Sequence, residues 1–268
     1  MSIVGRGISV GGGGGLKVKV VGGTTQPSNP KESMIWVKTS SAIGNVSFTA
    51  ASPDSPELND VWISVHSSWT SWYLPICDKP YTRLPVAFGC QWNGSYWQGK
   101  ETLIYMNSDW HSLKLMLHHD GLRIGSSAAW SAFATAEDFL GSSISLQAPT
   151  ISEADNGLTI AQANGKRGTA VYGTSSADTI DLSKYSTIKF YYKAANTAYR
   201  EFGKTSTWPE PPLTNDRYPM DTGYLQERSA ATSSVERSLD WSDDTDEKYF
   251  VIGILGTQTL TISQLWLE

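Results

Sequence analysis

Histidines, a run of carboxylates and many aromatic side chains are the residues here whose types and spacing could do chemistry. The sequence has four histidines, His66, His111, His118 and His119, all in its first half. His118-His119-Asp120-Gly121 puts two imidazoles and a carboxylate in consecutive positions, a donor set zinc accepts. Neighbouring side chains on a strand point to opposite faces, however, so one site cannot easily use both imidazoles, and a polar turn closing a hairpin is the favoured reading. The stretch "LDWSDDTDEK" gathers Asp240, Asp243, Asp244, Asp246 and Glu247. Ca²⁺ takes six to eight oxygens from such a loop, but the glycine that lets a ligand loop fold round the ion is missing, which favours a solvated turn. No metal and no other cofactor is expected. GxSxG, HExxH and Walker patterns are absent. Glycoside hydrolysis needs two carboxylates about 5–9.5 Å apart in a cleft, a separation that spacing along the chain does not set. No catalytic residue is assigned, and a non-enzymatic protein is expected.

The aromatics are the stronger lead. "QWNGSYW" (Gln91 to Trp97) is followed by "MNSDW" (Met106 to Trp110), so Trp92, Tyr96, Trp97 and Trp110 lie beside turn formers. Asn-Gly signals a tight hairpin because both central residues of a type I′ turn have φ > 0. Cross-strand aromatic pairs at such turns contribute roughly 0.5–1.5 kcal/mol beyond burial, which favours a packing role over a sugar platform. The second candidate is the stretch Ala194 to Ser234, read as an irregular insert of about forty residues where domain loops run about four to six. It holds Trp208, Pro209, Pro211, Pro212, Tyr218, Pro219 and Tyr224. Trp208, Tyr218 and Tyr224, with Arg217, offer rigid faces and a planar hydrogen-bonding fork for a saccharide. The competing reading is a loop packed on its own domain or on a neighbouring subunit.

Composition frames the elements that must position these groups. The chain has 268 residues, 40% hydrophobic and only 18% charged, with a net charge of −5. Abundant Gly, Ser, Thr, Asn and Trp indicate an all-β protein. Without a Lys/Arg run there is no footprint for nucleic acid, and without about 18 consecutive apolar residues no membrane insertion is expected. The start lacks a signal-peptide h-region, so synthesis in a reducing cytoplasm, with Cys77 and Cys90 as thiols, is the expectation. Residues 1–30, with five glycines at Gly11 to Gly15, read as a flexible docking arm or a disordered leader, the former adding "LKVKVV" as a strand to another chain. Residues 31–115 read as small Trp-containing β-hairpin modules. In them Ser33–Lys38 and Asp60–Val65 echo each other, and Trp36 and Trp62 are expected to share one small core. Residues 116–150 read as a linker with a short helix over Ala128 to Leu140, N-capped by Ser126 or Ser127. Residues 151–268 alternate as an antiparallel, jelly-roll-like β-sandwich.

"MSIVGRGISVGGGGGLKVKVVGG", "PKESMIWVKTSSAIGNVSFTA", "VWISV" and "QWNGSYWQGKETLIYMNSDW", in this order, resemble a group of small tail or minor structural proteins encoded by phages and prophages of gut Firmicutes. The likeness covers about the first 115 residues; beyond it, only the pattern of a variable C-terminal β-sandwich is similar. The resemblance implies a virion protein of the tail, baseplate or fibre, made in the bacterial host cytoplasm. Its N-terminal half would contact other tail or baseplate proteins, and its sandwich would face a host surface glycan or protein. It supplies no catalytic residues. An oligomer is expected, because hairpins below about 40 residues rarely sustain a core alone, and a homotrimer because fibre-like appendages commonly assemble with threefold symmetry. The alternatives are a tail-associated glycan depolymerase or cell-wall hydrolase, and a purely structural head or tail decoration.

Overall fold

Alternating apolar and polar residues form strands along most of the chain. The computed structural model describes residues 3–8, 18–65, 72–75, 83–134, 145–154, 157–209, 225–243 and 245–268. They divide into two units, residues 1–117 with 121–125 and 268, and residues 118–120 with 126–267.

The first unit contains β1 (Ile3–Ile8), β2 (Val18–Gly23), β3 (Ile35–Lys38), β4 (Val46–Thr49), β5 (Val61–Ser64), β6 (Trp72–Pro75), β7 (Arg83–Val86), β8 (Phe88–Trp92), β9 (Trp97–Lys100), β10 (Thr102–Met106), β11 (Asp109–Ser112) and β12 (Leu115–His119), whose last two residues belong to the second unit. One sheet runs β1-β2-β3-β10-β11 and another β4-β5-β8-β9, while β6 and β7 pair with each other. The two larger sheets share one core, in which Val20, Ile35, Val37 and Ile104 meet Phe48, Val61 and Ile63.

The echo between the two Trp segments is a structural repeat. β2 and β3 are parallel, β3 pairs antiparallel with β10, and β10 turns into β11. β4 and β5 are likewise parallel, β5 pairs antiparallel with β8, and β8 turns into β9. Trp36 stands opposite Leu103 as Trp62 stands opposite Cys90, which makes Tyr105–Trp110 the counterpart of Trp92–Trp97. Trp36 and Trp62 do not share a core, contrary to expectation. Because side chains alternate along a strand, turning Ile35, Val37, Val61 and Ile63 into this core turns both tryptophans to the opposite faces of their sheets, where each is buried in other company. Trp36 packs with Val21, Met34 and Leu103, and Trp62 with Phe88 and Trp97.

The turn chemistry is the reverse of the expected one. Asn107 (φ 55°) and Ser108 (φ 65°) supply the left-handed pair of a two-residue hairpin between Met106 and Asp109. Asn93-Gly94 lies instead in a four-residue loop where only Gly94 is left-handed, and Asn93 Oδ1 accepts from the Ser95 and Tyr96 amides. The described part of "LKVKVV", from Val18 on, is also not presented as a free strand, since β2 is flanked by β1 and β3 and buries Val18 and Val20 in its own unit; Leu16 and Lys17 lie outside the described residues. Gly11 to Gly15 and Cys77 lie outside the described residues. Cys90 is a free thiol at full burial, which drives its pKa far up.

The second unit is a β-sandwich. Its strands are β13 (Trp130–Phe133), β14 (Ser145–Leu146), β15 (Thr150–Ala154), β16 (Gly157–Gln162), β17 (Lys166–Tyr172), β18 (Ile180–Asp181), β19 (Thr187–Ala194), β20 (Arg200–Thr205), β21 (Leu225–Glu227), β22 (Ala231–Asp240), β23 (Glu247–Leu255) and β24 (Gln258–Leu267). One sheet includes β15-β16-β24-β19-β22 and the other β13-β17-β23-β20-β21, with β14 beside β17 and β18 beside β23. Phe190 of the first sheet meets Phe202 at 4.5 Å and Phe250 at 6.3 Å across the core.

Two expectations change here. Ala128 to Leu140 is not a helix over its described part: Ser126 caps a single 3₁₀ turn, Ser127–Ala129, and Trp130–Phe133 is a strand. The insert Ala194 to Ser234 contains β20, β21 and the start of β22. Its β20, "REFGKT", is buried at every position yet carries Arg200, Glu201 and Lys204, so charge hides the strand from a hydrophobic pattern.

Gly99 gives a direct test of the first unit, because a Cβ there would run into the Met116 carbonyl of β12. Gly99→Ala should lower stability by about 2 kcal/mol or more, since packed backbone must move. Gly23→Ala, whose new methyl would sit 3.8 Å from the Thr25 carbonyl oxygen, should cost less. Urea denaturation of the two variants checks the difference, and equal midpoints would contradict it.

Candidate functional site

At one end of the sandwich three connections come together: β19 to β20, β21 to β22, and β23 to β24. Between them lies an open cavity of ≈ 470 Å³ lined by Thr197, Ala198, Tyr199, Arg228, Leu255 and Gly256. Asn196 ties the first connection down, accepting from the Ala198 amide at 3.3 Å and donating to the Thr257 carbonyl. The Leu255 amide donates to the Tyr199 carbonyl at 3.0 Å, and the Gly256 amide to the Lys166 carbonyl at 2.7 Å. Gly256 turns the chain at φ 76°, in the left-handed region where glycine carries no Cβ penalty. The guanidinium of Arg228 sits over the Tyr199 ring, 3.7 Å from its centroid.

A second arginine holds this arrangement from behind. The Arg200 side chain has 0% exposure and stands opposite Glu227 in the β20–β21 ladder. Its Nη2 donates to Glu227 Oε2 at 3.1 Å, to the Tyr192 hydroxyl at 3.1 Å and to the Ser229 carbonyl. Its Nη1 reaches the Ala198 carbonyl at 3.5 Å, and Nε is left without an acceptor among the described residues. Glu227 Oε1 accepts from Arg237 Nε. Burial, and then the Arg237 cation, pull the Arg200 pKa down to about 10, which leaves it charged at neutral pH. Arg200 thus fixes residues on both sides of Arg228 as well as the residue before Tyr199.

The sequence-derived candidates fall elsewhere. Trp208 packs edge-on against Phe133 (5.5 Å) and Tyr249 (5.2 Å) above Val171 and Val251. Arg217, Tyr218 and Tyr224 lie outside the described residues. Trp97 is completely buried between Trp62 and Trp92 and presents no face to a ligand. Trp92 and Tyr96 are half-buried beside it, while Trp110 is on the other sheet against Tyr105 at 5.4 Å. The insert Ala194 to Ser234 was the informative segment, but its aromatic-rich centre drew attention away from Tyr199 and Arg228 near its ends. No motif singles out those two residues.

The metal candidates separate as well. Asp240 accepts from the Ser242 amide, Asp246 lies 3.9 Å from Lys248, and Glu247 accepts from the Thr179 hydroxyl. Among the described residues no three His, Cys, Asp or Glu side chains converge. His118 is buried at 3% exposure, whereas Asp120 is exposed.

No family model matches the sequence, and no curated protein does. Solved structures with some likeness include a point mutant of a carbohydrate binding module of family 29, at 9% identity over 57% of this chain and 89% of that one, with a TM-score of 0.35. CBM29_1 of Piromyces equi follows at 12% identity over 52% and 88%, TM-score 0.30. A CBM28 module specific for non-crystalline cellulose has 13% identity over 52% and 87%, TM-score 0.32. At these values the likeness decides nothing about function.

Two outcomes follow. Trp208→Ala should destabilise the protein by about 2 kcal/mol or more through the void it leaves, seen as a lower thermal midpoint. An unchanged midpoint would return Trp208 to the surface. Burial, opposed chiefly by the Glu153 carboxylate, lowers the His118 pKa to about 4. The unfolded chain therefore binds this proton first as pH falls. The stabilising term is complete above about pH 6.5 and is lost between there and about pH 4, at most roughly 3 kcal/mol. Denaturation midpoints of wild type and His118→Gln across that range should converge as pH falls; parallel curves would contradict the burial argument.

Proposed function

We propose that the chain is a non-enzymatic attachment protein of a phage particle, whose first unit joins the tail or baseplate and whose sandwich binds a host-surface saccharide. The observation that carries the binding reading is the loop-end cavity, with the Tyr199 ring and the Arg228 guanidinium on its wall. A saccharide ring offers C–H groups to aromatic and aliphatic surface and a rim of polar groups to hydrogen-bond donors, and this lining supplies both. The particle role rests on the N-terminal resemblance, and a homotrimer fits it, since tail appendages assemble with closed symmetry.

The test is binding of the full chain to a glycan array and to host cells. Tyr199→Ala should weaken binding by about tenfold or more, the effect of truncating one anchor, with the thermal midpoint nearly unchanged. No binding to either would favour a purely structural decoration protein, and release of new reducing ends from host glycan would favour a depolymerase.

A further inference from the structure

The three arginines at this end of the sandwich are not equivalent. Arg200 and Arg237 are each tied by hydrogen bonds to Glu227 and to backbone carbonyls, and Arg200 also to Tyr192. Arg228 is exposed, and its contact among the described residues is the face of Tyr199. Stacking occupies the flat side of a guanidinium, while its five N–H groups lie in the plane and stay available at the edge. Arg228 therefore presents a donor fork, held in orientation by the ring beneath it.

Acceptors are scarce by comparison. Among the described residues the cavity lining contains no carboxylate and no amide side chain, and its side-chain acceptors are the Thr197 and Tyr199 hydroxyls. Glu227, the carboxylate one residue away, already receives an arginine on each oxygen. Neutral sugar hydroxyls need acceptors as well as donors, but a carboxylate or sulfate needs donors only. Charge points the same way: Arg228 is the charged side chain in the described lining.

Building on the saccharide reading above, we infer that the pocket selects a saccharide bearing an acidic group, a carboxylate or a sulfate. The anion is taken by the edge of Arg228, and the sugar ring lies against Ala198, Tyr199 and Leu255. The fork-to-carboxylate match is what Lys would not reproduce.

The experiment measures binding of the full chain to three size-matched probes: an oligogalacturonide, a sulfated oligosaccharide and a neutral galacto-oligosaccharide. At least one acidic probe should bind about tenfold or more tightly than the neutral one, and which acid wins distinguishes carboxylate from sulfate. Arg228→Gln should erase the preference and Arg228→Lys most of it, with thermal midpoints unchanged because the residue is exposed. Lys31→Gln, an exposed cation of the first unit, should leave it intact. Tyr199-dependent binding of the neutral probe with equal affinity would overturn the acidic selectivity and keep the saccharide site. Acidic preference lost equally in Lys31→Gln would reduce it to general charge attraction, and no binding of any probe would overturn both readings.

Discussion

A guanidinium with no exposed surface has to find its partners inside the protein, and at one end of the sandwich Arg200 makes this demand. Leaving such an ion unpaired would cost several kcal/mol, so the surrounding chain is arranged to satisfy it. Glu227 stands directly across the ladder, Tyr192 reaches from the facing sheet, and the Ser229 carbonyl closes in from the turn. The Tyr192 hydroxyl joins the two sheets through this group at the edge of an aromatic core that includes Phe190, Phe202 and Phe250. An apolar residue would fill the space, but it would give no direction to the turn that carries Arg228.

The first unit shows the complementary case, where position in the chain rather than charge decides exposure. One ladder plan is used twice, yet Trp97 is fully buried while its counterpart Trp110 is only half-buried. The difference comes from the segment after β11. The Met116 backbone crosses at Gly99, and the Arg123 and Gly125 backbones bond to either side of Trp97. The position equivalent to Gly99 on β11 is Ser112, as the register of the two hairpins requires. A backbone can lie that close only where there is no Cβ.

What could be read from the sequence follows the same physics. Strands such as "STIKFYYK" and "KYFVIGIL" announce themselves because apolar residues alternate or run together, and they became β19 and β23. The hairpin at Trp92 was legible from its turn residues, although the loop chemistry was not: φ > 0 fell on Asn107 and Ser108, which no Asn-Gly pair marks. β20 was illegible because Arg200, Glu201 and Lys204 are charged yet buried, and the carboxylate that pairs with Arg200 lies on a later strand. Trp36 and Trp62 were correctly matched with each other and wrongly placed together, since likeness between two strands fixes their equivalence but not the face each turns to the core.

The site itself was hidden for a related reason. A sequence with net charge −5 and no Lys/Arg run gives no sign of an arginine cluster. Positions 200, 228 and 237 are brought together only by the order β23-β20-β21 in one sheet and the place of β22 in the other. Screening makes the overall negative charge a weak objection to an acidic ligand, because at physiological salt a charge is felt over about 8 Å. Within that distance an anion against the lining would meet Arg228 rather than the average of the chain. The proposed selectivity would then be a property of contact geometry, set by the edge of one stacked guanidinium, and a count of charges along the sequence has no bearing on it.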